Sequence, residues 1–170
     1  LDVFQALAGA AGAKLDVSLG AERLRNQLGD PRTILFVLVD GLGLEVLERV
    51  RPDQFFPSVR IDEIRALFPS TTATVLTSLA TCRWPAEHGV TGWFTRIPER
   101  RMTVVTLRQI EALTEESLVA RGLTPADMIP PAPVQIGFRR QSWTVLPKQF
   151  VDDPYSRWAR GDTPGLGYGS

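Results

Sequence analysis

The most apolar stretch of the chain covers residues 33–39 and ends at Asp40-Gly41. It reads Thr-Ile-Leu-Phe-Val-Leu-Val, without polar alternation and with β-branched residues at both ends. Such a run is typical of a strand covered on both faces, as in the centre of a parallel sheet. It is too short to cross a bilayer as a helix. The run therefore predicts a central strand of an α/β domain.

Helical and strand-like patterns alternate along the rest of the chain. This alternation predicts an α/β fold with a mainly parallel sheet, in one domain over residues 1–170. Residues 124–133 are rich in proline, and the tail from residue 152 has no periodicity, so both are predicted to be irregular. The predicted helices cover 1–28 with glycine interruptions, 44–50, 73–81 and 110–121; the predicted strands cover 33–39, 58–64, 102–107 and 142–146.

Composition argues against several classes of partner. The formal net charge is zero and the arginines are scattered, so neither a nucleic acid duplex nor a membrane is expected to bind the chain. Cys82 is the only cysteine, which excludes an internal disulfide and a cysteine-rich zinc site. No charged-then-apolar signal pattern is present near Leu1. These features predict a cytoplasmic protein of undetermined oligomeric state.

Two interpretations of Asp40 remain open. In open α/β sheets, ligands bind beyond the carboxyl ends of the strands, so Asp40 is well placed to hold a metal ion. An Asp before Gly also closes turns and caps helices routinely. A dinucleotide-binding loop at Gly41-Leu42-Gly43 is disfavoured, because Val46 replaces the third glycine and Asp40 would repel a pyrophosphate.

A second candidate feature is the turn Phe68-Pro69-Ser70-Thr71-Thr72, which leads into the predicted helix over 73–81. The apolar residues of this helix, Val75, Leu76 and Leu79, are predicted to share one face. Free backbone N–H groups at a helix N-terminus attract anions such as phosphate, and a hydroxyl there can act as a nucleophile. One hydroxyl must serve as the N-cap, but three exceed that need. The turn therefore favours a phosphoryl-transfer site.

The other notable side chains are predicted to be structural. His88 is the only histidine, which leaves too few nitrogen ligands for a catalytic zinc site within this chain. Cys82 lacks a catalytic partner pattern and is predicted to be a small buried apolar residue. The same structural or surface role is predicted for Trp84, Trp93, Arg157 and Arg160.

Taken together, the segments resemble the alkaline phosphatase superfamily, and within it the type I phosphodiesterase/nucleotide pyrophosphatase family. Three blocks in this order support the match: Ile-Leu-Phe-Val-Leu-Val-Asp-Gly over 34–41, Phe-Pro-Ser-Thr-Thr over 68–72, and Leu-Ala-Thr over 79–81 followed by Trp-Pro-Ala-Glu-His-Gly-Val over 84–90. The resemblance is firm over 32–93 and looser towards the end. It implies a three-layer αβα sandwich with a mainly parallel central sheet, incomplete in this chain.

The resemblance also implies a mechanism. Members hydrolyse small-molecule phosphate esters with two divalent metal ions, commonly zinc, with manganese or magnesium as alternatives. Asp40 matches the aspartate that binds one metal. Thr72 matches the nucleophile, which is also a ligand of that metal and forms a phospho-threonine intermediate. Thr71 or Ser70 would take this role if the turn were offset.

The sequence departs from the family pattern at several positions. Val75 stands where nucleotide pyrophosphatases place an Asn, and Cys82 replaces an expected glycine. The Asp and His residues that complete the family's metal site are missing, which predicts an N-terminal part of a larger catalytic domain, inactive alone. Phosphomonoester, phosphonate and sulfate-ester hydrolysis remain alternatives, as does a non-catalytic α/β binding module.

Overall fold

The computed structural model describes residues 1–51, 54–60 and 62–169, apart from the side chain of Phe56. The chain divides into two compact units, and each is described here by itself. One unit comprises Leu1–Asp30 together with the chain from Leu67 onward, and the other comprises Pro31–Ala66. No helix in the described part is long and apolar enough to cross a membrane.

The larger unit begins with two packed helices, α1 (Asp2–Ala10) and α2 (Leu19–Leu28). Ser18 is the N-cap of α2, where its Oγ accepts a hydrogen bond from the N–H of Ala21 at 3.0 Å. Gly29 ends α2 with a φ of 66°, as the Gly-Asp-Pro stop signal indicates. The prediction of helices over 1–28 is therefore confirmed. The two helices are separated by residues 11–18, a longer gap than the predicted glycine interruptions.

An antiparallel sheet forms the next part of this unit. Its strand order is β1-β2-β3, and Phe94 lies opposite Val105 in the β1–β2 register. Alternate residues of β1 are buried, because side chains of a strand point to opposite faces. The first core cluster packs against this sheet and consists of Ile97, Met102, Val104, Leu118 and Leu123. The strands are β1 (Phe94–Ile97), β2 (Met102–Val105) and β3 (Ile110–Glu111).

The predicted helix over 110–121 is wrong. Its first residues form β3, and a short 3₁₀ turn at Val119–Arg121 is the only helical turn among these residues, all of which the structure describes. The Glu111 carboxylate accepts hydrogen bonds from the N–H groups of Leu113 at 3.0 Å and Thr114 at 2.7 Å. These bonds stabilise a turn instead of a helix. Leu118 is fully buried in the first core cluster, so tertiary packing overrides the helical pattern.

A second core cluster joins the helix α5 (Thr72–Thr81) to the C-terminal part of the chain. Its buried members are Ala73, Val90, Ile129 and Tyr155. Tyr155 belongs to α7 (Pro154–Arg160), which the sequence reading missed. The overlooked start signal is Asp153, which caps α7 by accepting from the N–H of Ser156 at 2.7 Å, followed by a proline at the first helical position.

The tail also forms a strand, β5 (Gly165–Tyr168), which pairs in parallel with β4 (Thr144–Pro147). The strand predicted over 142–146 is thus confirmed as β4. The prediction that the tail from residue 152 is irregular is wrong, because it contains α7 and β5. Gly165 lets the start of β5 pack closely against Val151, because a Cβ at this position would lie 2.7 Å from Val151 Cγ2. Within the described residues, parallel pairing is confined to β4 and β5.

The unit Pro31–Ala66 contains the helices α3 (Leu44–Glu48) and α4 (Phe55–Ser58). The predicted central strand over 33–39 is not a strand in this structure. Leu35 is 85% exposed and Val37 is 67% exposed. Within the described residues of this unit no strand forms, so the run lacks the neighbouring backbone that a parallel strand requires. The fold is mixed α/β with small sheets.

The irregular strand predicted over 58–64 is likewise not observed. Ser58 ends α4, and residues 59, 60 and 62–64 form no strand. Position 61 lies outside the described residues. The helix predicted over 44–50 is confirmed as α3, which ends two residues earlier. It is followed by two backbone bonds of turn type, from the N–H of Arg49 to Val46 O and from the N–H of Val50 to Leu47 O.

Candidate functional site

The Phe-Pro-Ser-Thr-Thr turn delivers Thr72 to the first position of α5. Leu67 is buried and Phe68 is exposed at the start of this turn, and the Phe68–Pro69 peptide bond is cis. Thr71 is the N-cap, with extended backbone (φ −95°, ψ 152°) and with its Oγ1 3.4 Å from the N–H of Thr74, from which it accepts. Capping therefore falls to Thr71, and Thr72 lies half-buried beside it.

Helix α5 buries its small and hydroxyl-bearing residues. Thr74, Thr77 and Ser78 are fully buried, whereas Val75 and Leu79 are only half-buried. Val75, Leu76 and Leu79, which the sequence predicts to share one face, are all half-buried, and the most buried residues of α5 are the small and hydroxyl-bearing ones. Each of these buried hydroxyls has a hydrogen-bond partner, and Thr77 finds one within the helix, because its Oγ1 donates to the carbonyl of Ala73 at 2.7 Å. Small side chains let neighbouring elements approach the helix closely.

His88 is a structural residue, as the sequence predicts. It ends the short helix α6 (Pro85–His88) and is fully buried. Its Nδ1 accepts from the N–H of Val90 at 3.1 Å, so the ring proton is on Nε2, which lies 2.9 Å from Ser78 Oγ and donates to it. Burial is the main cause that lowers the pKa of His88. The neutral imidazole thus holds the loop after α5 against the helix.

Cys82 follows α5 directly and is only 4% exposed. Its backbone is left-handed, with a φ of 52°, a conformation that favours the glycine expected here from the family resemblance. Burial raises the pKa of the Cys82 thiol to about 11. The thiol is therefore a protonated, buried apolar group, in agreement with the sequence prediction.

The arginines near the C-terminus have different roles. Arg157 Nη2 and Arg160 Nη2 lie 3.5 and 3.6 Å from the same carboxylate oxygen of Asp152. The Arg157 side chain is exposed, as predicted for a surface arginine. Arg160 is half-buried and donates from Nη1 to the carbonyl of Thr163 at 2.9 Å, so it fixes the turn between α7 and β5. The tryptophans Trp84 and Trp93 are partly exposed.

Asp40 lies in an exposed turn of the Pro31–Ala66 unit, before Gly41 with a φ of 73°. Gly43 occupies the N-cap position of α3, so Asp40 is not the cap of that helix. Asp40 belongs to the Pro31–Ala66 unit, whereas Thr72 belongs to the larger unit. Their assignment to one metal site stays a prediction.

The described residues do not form a metal site by themselves. Carboxylate and hydroxyl oxygens such as those of Asp40 and Thr72 suit divalent cations. However, the described part of the chain contains no group of three or more His, Cys, Asp or Glu side chains arranged to hold a metal ion. His88 is unsuitable as a ligand, because both of its ring nitrogens are engaged within the protein.

A comparison with known protein families matches more than half of the chain. The family model described as type I phosphodiesterase / nucleotide pyrophosphatase matches residues 34–144, which include the Asp40 turn, the Thr72 turn and His88. No curated protein and no solved structure gives a significant match. The residue that the sequence reading missed is Tyr155, which contacts Thr77 of α5 and lies outside the matched region.

Proposed function

The chain belongs to the type I phosphodiesterase/nucleotide pyrophosphatase family, and we propose that it supplies the nucleophile of a metal-dependent phosphoric-ester hydrolase. The family match indicates a hydrolase of the phosphodiesterase or pyrophosphatase type. The substrate in this proposal is a small-molecule phosphate ester. The observation that carries the assignment is the position of Thr72, the first residue of α5, next to a different residue that caps the helix.

In the proposed reaction, the Thr72 hydroxyl attacks phosphorus and the ester oxygen leaves. The oxygen–phosphorus bond to Thr72 forms as the bond to the leaving alcohol breaks, which gives a phospho-threonine and the free alcohol. Water then cleaves the phospho-threonine and regenerates Thr72. Backbone N–H groups at the start of α5 favour the negative charge of the phosphate, because the helix dipole is positive at this end. The first turn of α5 thus supports both the nucleophile and its target.

The proposal includes two divalent metal ions, with zinc as the first choice and manganese or magnesium as alternatives. In this proposal Asp40 and Thr72 are ligands of one ion. Bound divalent cations lower the pKa of a hydroxyl and balance phosphate charge. Because the described residues alone do not complete such a site, we propose that its remaining ligands are supplied from outside the described residues. A three-layer αβα sandwich with a central parallel sheet over residues 33–39 is part of the same proposal.

One residue near Thr72 bears on which kind of ester is the substrate. Val75, three residues after Thr72, is half-buried and apolar where nucleotide pyrophosphatases have an amide. An aliphatic side chain cannot donate a hydrogen bond to a phosphate oxygen. This favours comparing phosphodiesters with phosphomonoesters, phosphonates and sulfate esters in the same assay.

The test uses the intact protein and p-nitrophenyl phosphodiesters with added zinc or manganese. We expect T72A to abolish turnover while the metal content, measured by mass spectrometry, stays nearly unchanged. T71A and S70A are the matched controls. T71A should cost about 1 kcal/mol of stability through loss of the cap but retain turnover.

Three outcomes would contradict parts of this proposal. Turnover that persists in T72A and disappears in T71A or S70A would move the nucleophile to that residue. Wild-type protein that cleaves none of the ester classes would exclude the hydrolase function and favour a binding module. T72A removes only a neutral hydroxyl, a weak ligand, whereas D40N removes a charged carboxylate ligand. Metal content that is unchanged in D40N would therefore exclude Asp40 as a ligand.

A further inference from the structure

Tyr155 connects α7 to α5 through a buried hydrogen bond. Its hydroxyl lies 2.9 Å from Thr77 Oγ1, although the two residues are 78 positions apart in the sequence. Tyr155 is 4% exposed and Thr77 is fully buried, so no bulk water can replace this bond. A phenol that is buried at this depth normally keeps a partner, because an unpaired polar group in the core is costly. The contact is therefore a fixed feature of the second core cluster.

The direction of the hydrogen bonds follows from the number of protons. The Thr77 hydroxyl has one proton, and it donates this proton to the carbonyl of Ala73 at 2.7 Å. Thr77 Oγ1 must therefore accept from the Tyr155 hydroxyl. Burial raises the pKa of Tyr155, so the phenol remains a donor throughout the working pH range of an enzyme. The Tyr155 hydroxyl thus donates to Thr77 Oγ1, and the Thr77 hydroxyl donates to the carbonyl of Ala73.

This chain ends next to Thr72. Ala73 follows Thr72 in the first turn of α5 and is fully buried. A Thr that bonds to the carbonyl four residues earlier is common within helices. The additional feature here is that Thr77 is held from outside the helix by Tyr155. The ring of Tyr155 is in turn packed against Trp158, with 5.6 Å between the ring centroids. The first turn of α5 is thus tethered to α7.

We propose that Tyr155 is a positioning residue for Thr72 and holds the first turn of α5 in place through Thr77. The inference rests on the proposed function, because it requires Thr72 to be the nucleophile. A nucleophile must meet phosphorus within a narrow range of distance and angle, and a displacement of about 1 Å can lower the rate about a hundredfold. Loss of the hydrogen bond between Tyr155 and Thr77 lets the first turn of α5 move relative to α7 without removing any group that contacts substrate.

The experiment measures kcat and KM for the intact protein with a p-nitrophenyl phosphodiester. Y155F keeps the ring and removes the donor, whereas T77V keeps the shape and removes both hydrogen bonds. We expect each to lower kcat by about tenfold to a hundredfold while KM changes by less than about twofold. T77S keeps the hydroxyl and should restore most of the rate. Y168F changes an exposed tyrosine and serves as the control.

Folded fractions from circular dichroism normalise every rate, so that unfolding is not mistaken for lost positioning. Normalised kcat values of Y155F and T77V that equal that of wild type would overturn the inference, and so would a T77S enzyme that is as slow as T77V. If T72A is inactive in the same series, the proposed function survives either result. A wild type without activity, or an active T72A, overturns the proposed nucleophile and the positioning role together.

Discussion

His88 and Ser78 join the end of α5 to the loop that follows it. The imidazole satisfies two buried groups, the Ser78 hydroxyl and the N–H of Val90, and it can do so only in the neutral form that carries its proton on Nε2. A protonated ring would have no lone pair for the N–H of Val90. The residue therefore couples the protonation state of one side chain to the geometry of the loop.

We expect the stability of the protein to fall on acidification because of His88. Burial lowers its pKa in the folded state below the usual value of about 6.5. Between these two pKa values the unfolded chain binds more protons than the folded protein, so the free energy of unfolding decreases as the pH falls through this range. The stabilising contribution of neutral His88 is fully present above the usual pKa and is lost as the pH falls through the folded pKa.

The measurement is urea unfolding at several pH values around the usual histidine pKa, for wild type and H88Q. H88Q should be less stable at neutral pH by roughly 1–3 kcal/mol, because at least one buried partner loses its bond. It should also show a smaller loss of stability between neutral and mildly acidic pH. Parallel pH profiles for the two proteins would show that His88 does not control this loss.

Residue roles differed in how well they could be predicted from the sequence. The structural roles of His88 and Cys82 are confirmed by their burial and, for His88, by its hydrogen bonds. They were predictable because each is the only residue of its type and lacks catalytic partners. The roles of Asp40 and Thr72 stay predictions. Tyr155 could not be found, because its partner Thr77 is distant in the sequence and no local pattern links them.

At the scale of elements, α7 shows how a short helix can be fixed by its first residues. Asp153 accepts from the N–H of Ser156 at 2.7 Å and, through its other oxygen, from the Ser156 hydroxyl at 3.2 Å. Pro154 occupies the first helical position, where no N–H is needed. A helix of this length is marginal alone and depends on its cap and on the packing of Tyr155 in the second core cluster.

We expect D153A to destabilise the larger unit by about 1 kcal/mol, because two hydrogen bonds at the start of α7 are lost. D153N should be close to wild type, since an amide oxygen also accepts from the N–H of Ser156. Thermal unfolding followed by circular dichroism measures the difference. D162A, which removes an exposed carboxylate after α7, is the matched control. Equal losses in D153A and D162A would indicate a general charge effect instead of capping.

Local sequence patterns predicted some elements, but they did not predict α7 in spite of its start signal at Asp153, and they failed where tertiary contacts decide the structure. The sequence indicated α5 through its run of hydroxyl residues and β4 through its β-branched residues, and both are present. The stretch 110–121 failed because Gln109 and Glu115 adopt positive φ values and Glu111 binds the backbone of its own turn. A periodic apolar pattern does not contain this information.

At the scale of the whole molecule, the apolar run over 33–39 is the segment that most needs neighbouring strands and cover if it is to form a buried strand. A parallel strand needs hydrogen-bonding neighbours and cover on both faces, and the described residues of the Pro31–Ala66 unit provide no strand for it. The pattern of the run predicts a buried strand, whereas in this structure the run is exposed and forms no strand. Exposed apolar segments of this kind promote association of chains.

We expect V37K to reduce the self-association of the 170-residue chain, because it places a charge in the exposed run. Light scattering and binding of a fluorescent apolar dye measure the change. In the intact protein the same substitution should cost roughly 2–5 kcal/mol if the run becomes a buried central strand there. L19K, at a residue of α2 that is 74% exposed, is the control in both contexts. An intact V37K protein of wild-type stability would contradict the proposed central strand.

The single thiol of the chain offers a consequence of a different kind. Cys82 is buried directly after α5, and burial raises its pKa to about 11, so the reactive thiolate is scarce while this region is folded. Alkylation therefore proceeds through opened molecules, where the thiol regains its ordinary acidity. Because no second cysteine contributes to the signal, the labelling rate reports the opening of the end of α5 alone. The alkylation rate of Cys82 therefore measures how often the C-terminal end of α5 opens, at the opposite end of the helix from Thr72.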